Sequence, residues 1–338
     1  MKRLMPILLS LLAVSLSAEE ATVTFLDGIV DIRTESGATY PADFGDQLEA
    51  GDRVITGRSA EAELELAAGG VVTVRPDTVF LIGSSTRPDG ERTSRLSSAV
   101  GSFAFKFNAV LGNEPQIGST TAVAGVRGTE VVVYAGSDGT TRFEVLEGLV
   151  EIGEGEDSVT LGAEQGVEVS PGRRPTNVFA FLEQPIDYGV WNAGLVDGFL
   201  DDPLPALRGV ATEMREIIAE IERRAPAVEA LLERSEAETE TMNEIGEEDG
   251  QDAREEYFAE TVMPLRREAR AAFVDLRFIV LSALSLDQYV VSRLAAEMEA
   301  AYFLDRDAPV LQEFREELDE LRAEYENVVT PYLVAADL

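Results

Sequence analysis

The sequence of 338 residues contains no cysteine and no histidine. Their absence excludes disulfides, thiolate nucleophiles, Cys/His zinc sites and imidazole acid–base chemistry together. Lysine is nearly absent as well: only Lys2 and Lys106 occur, so arginine supplies almost all the positive charge. Against 28 basic residues stand 63 acidic ones, a net charge of −35. Such a field repels phosphate backbones and anionic lipid, which disfavours nucleic-acid binding and docking on a membrane surface. Tryptophan occurs once, at Trp191. No nucleophile elbow, P-loop or dinucleotide-binding glycine pattern is present. With 63 acidic residues, any chosen pair of carboxylates is expected by chance, so a glycosidase has no residue-specific support. The expectation is a non-enzymatic chain with no catalytic residue, no cofactor and no metal. Two acidic turns, Ser137-Asp138-Gly139 and Glu154-Gly155-Glu156-Asp157, lack the spacing of a calcium loop and read as ordinary turns.

What is present starts with an address. Lys2 and Arg3 precede a leucine-rich run from Leu4 to Leu16, and Ser15-Leu16-Ser17-Ala18 supplies small residues before Glu19. That is the layout of a secretory signal peptide over 1–18, which predicts a periplasmic or secreted protein. If the segment is cleaved, no stable membrane insertion follows; left uncleaved, the same segment is an anchor.

From 19 to 182 the pattern is all-β, and with 45% apolar residues the chain can bury a core. Ala62, Leu64 and Leu66 alternate with Glu61, Glu63 and Glu65, so one strand face is buried. Phe103, Phe105 and Phe107 put three rings on one face, which reads as core. The polar stretch 84–98 reads as a loop or an exposed hairpin tip. An internal echo relates Val23–Ile32 to Phe143–Ile152, each with an acidic residue and glycine between strands, and the spacing predicts a two-residue hairpin turn. A second echo relates Leu48–Val54 to Leu161–Val167. Two similar units should therefore stack as a sandwich or rolled sheet.

Between the echoes lies Thr121-Ala122-Val123-Ala124-Gly125-Val126-Arg127-Gly128-Thr129-Glu130-Val131. Gly125 and Gly128 can take positive φ and suggest a tight bend, with Arg127 placed to lock it through Glu130 or backbone carbonyls. This stretch resembles the signature of the FecR family of bacterial envelope proteins, and the likeness extends over about 22–169. The resemblance implies a periplasmic β domain, a protein partner and a part in envelope signalling. It also marks Gly125, Arg127, Gly128, Thr129 and Glu130 as signature residues, whose expected role is structural. The best-known family members carry a cytoplasmic segment ahead of their membrane helix; here only Met1, Lys2 and Arg3 precede the apolar run.

Prolines at 171, 175, 185, 203 and 205 mark a linker over 183–205, where Trp191 is expected to pack one domain onto its neighbour. From 206 to 335 the texture is acidic and helical, read as an antiparallel bundle. Leu207, Val210, Met214, Ile217, Ile221, Ala225, Val228 and Leu232 follow one helix face, with Pro226 expected to kink or restart it. Glu244–Asp252 reads as a loop, Pro264 as a second kink, Ser285 as a break, and Asp307 as the cap of the last helix. That helix carries Leu311, Phe314, Leu318, Leu321, Tyr325 and Val328 in a heptad-like stripe. The stripe must be buried against its neighbours or against a second copy, so a homodimer through the C-terminal helices is one expectation. The fold class is thus α+β by separate domains. The function read from it is an exported binding or scaffold protein, or an envelope signalling component anchored by an uncleaved N-terminus.

Overall fold

The computed structural model describes residues 20–86, 92–107, 115–153, 158–175, 177–181 and 186–334. The signal-peptide reading of 1–18 and the acidic turn at 154–157 lie outside the described residues. Among the described residues fifteen strands come first: β1 (Ala21–Asp27), β2 (Val30–Arg33), β3 (Thr39–Pro41), β4 (Gln47–Leu48), β5 (Arg53–Thr56), β6 (Glu61–Leu66), β7 (Val71–Val74) and β8 (Val79–Thr86). They continue with β9 (Arg92–Lys106), β10 (Gln116–Ser119), β11 (Val123–Ala135), β12 (Thr141–Ile152), β13 (Val159–Leu161), β14 (Gln165–Val169) and β15 (Val178–Ala180).

The pairings resolve into two layers that share three long strands. One layer runs β3-β2-β5-β8, then the first part of β9, β10, the first part of β11, the end of β12, and β13. The other runs β4-β1-β6-β7, then the end of β9, the end of β11, the start of β12, β14 and β15. Each shared strand changes neighbours at a glycine of positive φ: Gly101 (+99°) in β9, Gly128 (+55°) in β11 and Gly148 (+87°) in β12. Only glycine takes such angles without strain, so these three positions fold one sheet over itself. The enclosed core takes Val54, Phe80, Ile82 and Leu96 from one layer and Leu64, Val72, Phe105 and Phe143 from the other. Phe80 meets Phe103 across it with centroids 5.0 Å apart. Phe103, Phe105 and Phe107 are all buried, as are Ala62, Leu64 and Leu66.

The first echo is real but is not a hairpin. β1 and β2 do not pair with each other; at Asp27-Gly28 the chain passes from one layer to the other, as it does at Glu147-Gly148. Gly28 has φ +78°, matching Gly148. The acidic-glycine signal marks a layer crossing in both copies, and a hairpin and a crossing demand the same backbone freedom. The second echo does not hold: 48–54 leads from β4 to β5, whereas 161–167 leads from β13 to β14, in the opposite sense between layers. The polar stretch 84–98 is a paired β8–β9 hairpin with its tip outside the described residues. Ser97, opposite Leu81, is buried on the face that the helices cover, whereas Ser84, Ser94 and Ser98 are buried on the inward face with Phe80, Ile82 and Leu96.

The stretch 183–205, read as a linker, contains helix α1 (Tyr188–Asp201), capped where Asp187 accepts from the Val190 N–H at 3.1 Å. Next come α2 (Pro203–Glu248), α3 (Gln251–Tyr257), a π turn over Phe258–Val262, α4 (Met263–Leu286), a second π turn over Asp287–Val291, α5 (Ser292–Ala301), α6 (Pro309–Val328) and α7 (Thr330–Val334). Pro226 does not interrupt α2. A mid-helix proline costs about 3 kcal/mol, but Ile221, Ala225, Val228 and Leu232 around it are buried. At about 1.5–3 kcal/mol for each large side chain, their packing outweighs the defect. The expected loop at 244–252 reduces to Asp249 and Gly250, because α2 persists to Glu248 and α3 starts at Gln251. The π turn before Pro264 absorbs the missing N–H and the ring clash. Ser285 makes no break: its hydroxyl donates to the Leu281 carbonyl at 2.8 Å and the helix passes into the second π turn. Asp307 does not cap α6; Ala308 holds that position without a side-chain bond. Leu311, Phe314, Leu318 and Leu321 join Leu207, Val210, Met214 and Ile221 in one core, so the stripe is covered within the chain.

Candidate functional site

The signature stretch lies on β11 at its layer crossing. Between the pairs Arg127↔Leu149 and Glu130↔Glu147 the register shifts, so Gly128 and Thr129 bulge opposite Gly148. A Cβ on Gly148 would stand 2.3 Å from the Gly128 carbonyl oxygen. The expected bend is therefore a bulge inside a continuous strand. Gly128 takes the positive φ, whereas Gly125 does not, and open space lies where a Gly125 side chain would go. Thr129 is buried and its carbonyl accepts from the Phe107 N–H at 3.0 Å, tying the bulge to the end of β9. Glu130 pairs with Lys106 at 2.8 Å, the residue opposite it on β9. The Arg127 backbone is part of β11; its side chain lies outside the described residues, so the lock ascribed to it is not placed.

The strongest concentration of unusual side chains lies elsewhere, on the outer face of the layer containing β5, β8 and β9, where α4 docks. Gly83 of β8 faces the Phe278 ring of α4 so closely that a Cβ would fall 1.9 Å from it. Phe278 packs with Leu81 and Leu281, and the Arg95 guanidinium lies 4.9 Å from its centroid. Beside it Arg277 is buried, pairs with Glu35 at 3.4 Å, and donates to the Glu35 carbonyl at 3.3 Å and the Tyr332 carbonyl at 3.4 Å. One guanidinium thus joins the β2–β3 turn, α4 and α7. Burial raises the Glu35 pKa against the lowering effect of Arg277. Asp52 stiffens the same turn by accepting from the Glu35 and Glu49 N–H groups at 3.0 and 2.9 Å, and burial raises its pKa too.

A second seam forms where α1 meets the ends of β9 and β11. The Tyr188 hydroxyl donates to the Ala135 carbonyl and accepts from the Gly101 N–H, both at 2.9 Å. Burial pushes its pKa up to about 12, so it stays protonated. Trp191 packs near Tyr134 and Tyr188, with centroids 6.1 and 6.0 Å away, and donates to Glu168 at 2.9 Å. Asn192 holds Ser137 through two bonds of 2.7 and 3.0 Å. The neighbouring acidic turn spends its carboxylate internally: Asp138 accepts from Thr140 N and Oγ1 at 2.8 and 2.9 Å. Among the described residues no group of three acidic side chains is arranged to hold a metal. A cleft of about 460 Å³ at the far end of the helices is lined by Met242, Asn243, Arg254, Phe258 and Arg266.

The composition pointed to none of the α4 seam. Arg53, Gly83, Arg277 and Phe278 carry no motif, and Gly83 in an apolar strand was the one available signal, since strand glycines mark close approach.

The family model described as FecR protein matches residues 52–151, which spans β5 to β12 and is narrower than the 22–169 expected. Two crystal structures of a candidate anti-sigma factor from Parabacteroides distasonis ATCC 8503 are similar at 18% and 17% identity, each with a TM-score of 0.33. Each covers 41% of this chain, and the chain spans 63% of their length. A cell surface anchoring domain is similar at 26% identity and a TM-score of 0.18, over 18% of this chain and 82% of that one. No curated protein matches.

Proposed function

With a FecR domain established over residues 52–151, we propose that this protein is an envelope signalling component whose acidic helical region is the part that meets a protein partner. The observation that carries the reading is the seam itself. The FecR domain's outer face is covered by the chain's own α4 through Gly83, Phe278 and Arg277. This close packing gives a change at the sheet a direct route to the helices. The scaffold reading draws no comparable support from the FecR match.

The helices form an antiparallel bundle, the protein acts in the periplasm or at the cell surface, and it performs no catalysis and needs no cofactor. Among the described residues no helix is long and apolar enough to cross a membrane; the proposal assigns attachment to the leucine-rich run Leu4–Leu16, left uncleaved.

The test is crosslinking in intact cells followed by mass spectrometry, with the native N-terminus read in the same experiment. A specific envelope protein crosslinked to the helical region, together with an intact N-terminus in the membrane fraction, is expected. A cleaved, freely soluble protein without a signalling partner would return the scaffold reading.

A further inference from the structure

On the face covered by the helices, the register sets Arg33 opposite Arg53, and Arg53 opposite Leu81. Directly paired residues share a face, so two guanidiniums stand side by side where α4 brings a third, Arg277. Arg277 is answered by Glu35 and two carbonyls. Arg53 is not. It is only 4% exposed, its Nε is enclosed without a partner, and among the described residues no hydrogen bond or ion pair reaches its guanidinium. The Tyr325 hydroxyl of α6, one of its electrostatic neighbours, is likewise buried without a partner. Tyr289 is another neighbour, and Arg33 and Arg277 add repulsion. Asp287 acts on Tyr325 but is itself opposed by Arg322 and makes no bond to Arg53. The spot gathers donors and positive charge, and its acceptors are the neutral hydroxyl oxygens of Tyr325 and Tyr289.

We propose that Arg53 and Tyr325 bind a small monovalent anion of the chloride class at the seam between β5 and α6. A buried, unpaired charge is among the most destabilising features a fold can carry. Water is the poorer occupant, because it is neutral and leaves the buried guanidinium charge uncompensated. A halide only accepts, and it tolerates irregular donor geometry. The tight enclosure of Arg53 favours a single small ion over sulfate or phosphate. In a chain of net charge −35 a general attraction for anions is excluded, so binding here must be local. The ion would fasten α6 to the sheet. This proposal stands apart from the signalling one, since an inert protein with this seam would bind the ion equally.

The experiment uses the full chain prepared in sodium gluconate. Sodium chloride or bromide replaces gluconate at constant ionic strength while thermal unfolding and the ³⁵Cl NMR line width are followed. A saturable rise in Tm and broadening of the chloride line, reversed by bromide, are expected. Arg53→Met should abolish both while keeping the native Trp191 fluorescence, and Tyr325→Phe should weaken chloride binding by about tenfold, the loss of one charge-assisted bond. No chloride-specific shift in the wild type, or the same shift in Arg53→Met, would overturn the proposal. Should Arg53→Met fail to fold, Tyr325→Phe decides alone: unchanged chloride affinity there rejects the site.

Discussion

Gly83 and Phe278 decide how closely the helices sit on the FecR domain. Adding one methyl at Gly83 drives it into the Phe278 ring, and overpacking of this kind costs about 1–3 kcal/mol. Gly83→Ala should therefore lower the urea midpoint measurably. Combined with Phe278→Ala the penalty should fall below the sum of the two, by about 0.5–3 kcal/mol, because the ring that clashed is gone. Strict additivity would show that the two do not touch. The signature glycines should separate in the same assay. Gly148→Ala meets both a positive φ and the Gly128 carbonyl and should cost about 1–3 kcal/mol. Gly125→Ala, with ordinary φ and open space, should stay within about 0.5 kcal/mol. If Gly125→Ala folds but loses a partner, that glycine serves recognition and not architecture.

Among elements, the turn around Glu35 and Asp52 should give the seam a characteristic response to pH. Burial raises the pKa of Glu35, Asp52, Glu213 and Asp287 in the folded state. A carboxyl with a raised folded pKa binds its proton more tightly when folded. The contribution is fully present below the unfolded value, ordinarily 4.5 for Glu and 3.8 for Asp, and is lost as pH rises through the folded value. Stability should thus increase as pH falls from neutral into the mildly acidic range. Glu35→Gln should flatten part of that slope in unfolding titrations; a slope untouched by the substitution would place the titration elsewhere. The elements themselves were legible where one physical signal dominated. Strict alternation found β6, the three phenylalanines found β9, and the three–four spacing found α2. Reading failed where one signal serves two geometries. Asp27-Gly28 offers the same backbone freedom to a hairpin as to a layer crossing, and Ser285 followed by Gln288 looks like a cap whether or not the helix stops. Pro226 was overridden by tertiary burial, which no local pattern reports. The α4 seam was illegible because its parts lie some 200 residues apart in sequence, at Gly83 and Phe278.

For the molecule as a whole, the sheet and the helical region are joined by contacts at several places. Arg277 joins β turn, α4 and α7, Tyr188 joins α1 to two strand ends, and Gly172 of the β part donates to Glu213 of α2 at 2.8 Å. Helix α6 buries its apolar stripe inside the chain, so concentration should leave stability unchanged; a midpoint that rises with protein concentration would reveal a homodimer interface elsewhere. The central claim, that sheet and helices are coupled, is tested most directly by urea unfolding read with two probes on one sample. The lone Trp191 reports the β seam, and circular dichroism at helical wavelengths reports α2, α4 and α6. Coincident transitions with a single midpoint are predicted. Helices that melt first, while Trp191 keeps its native emission, would contradict it.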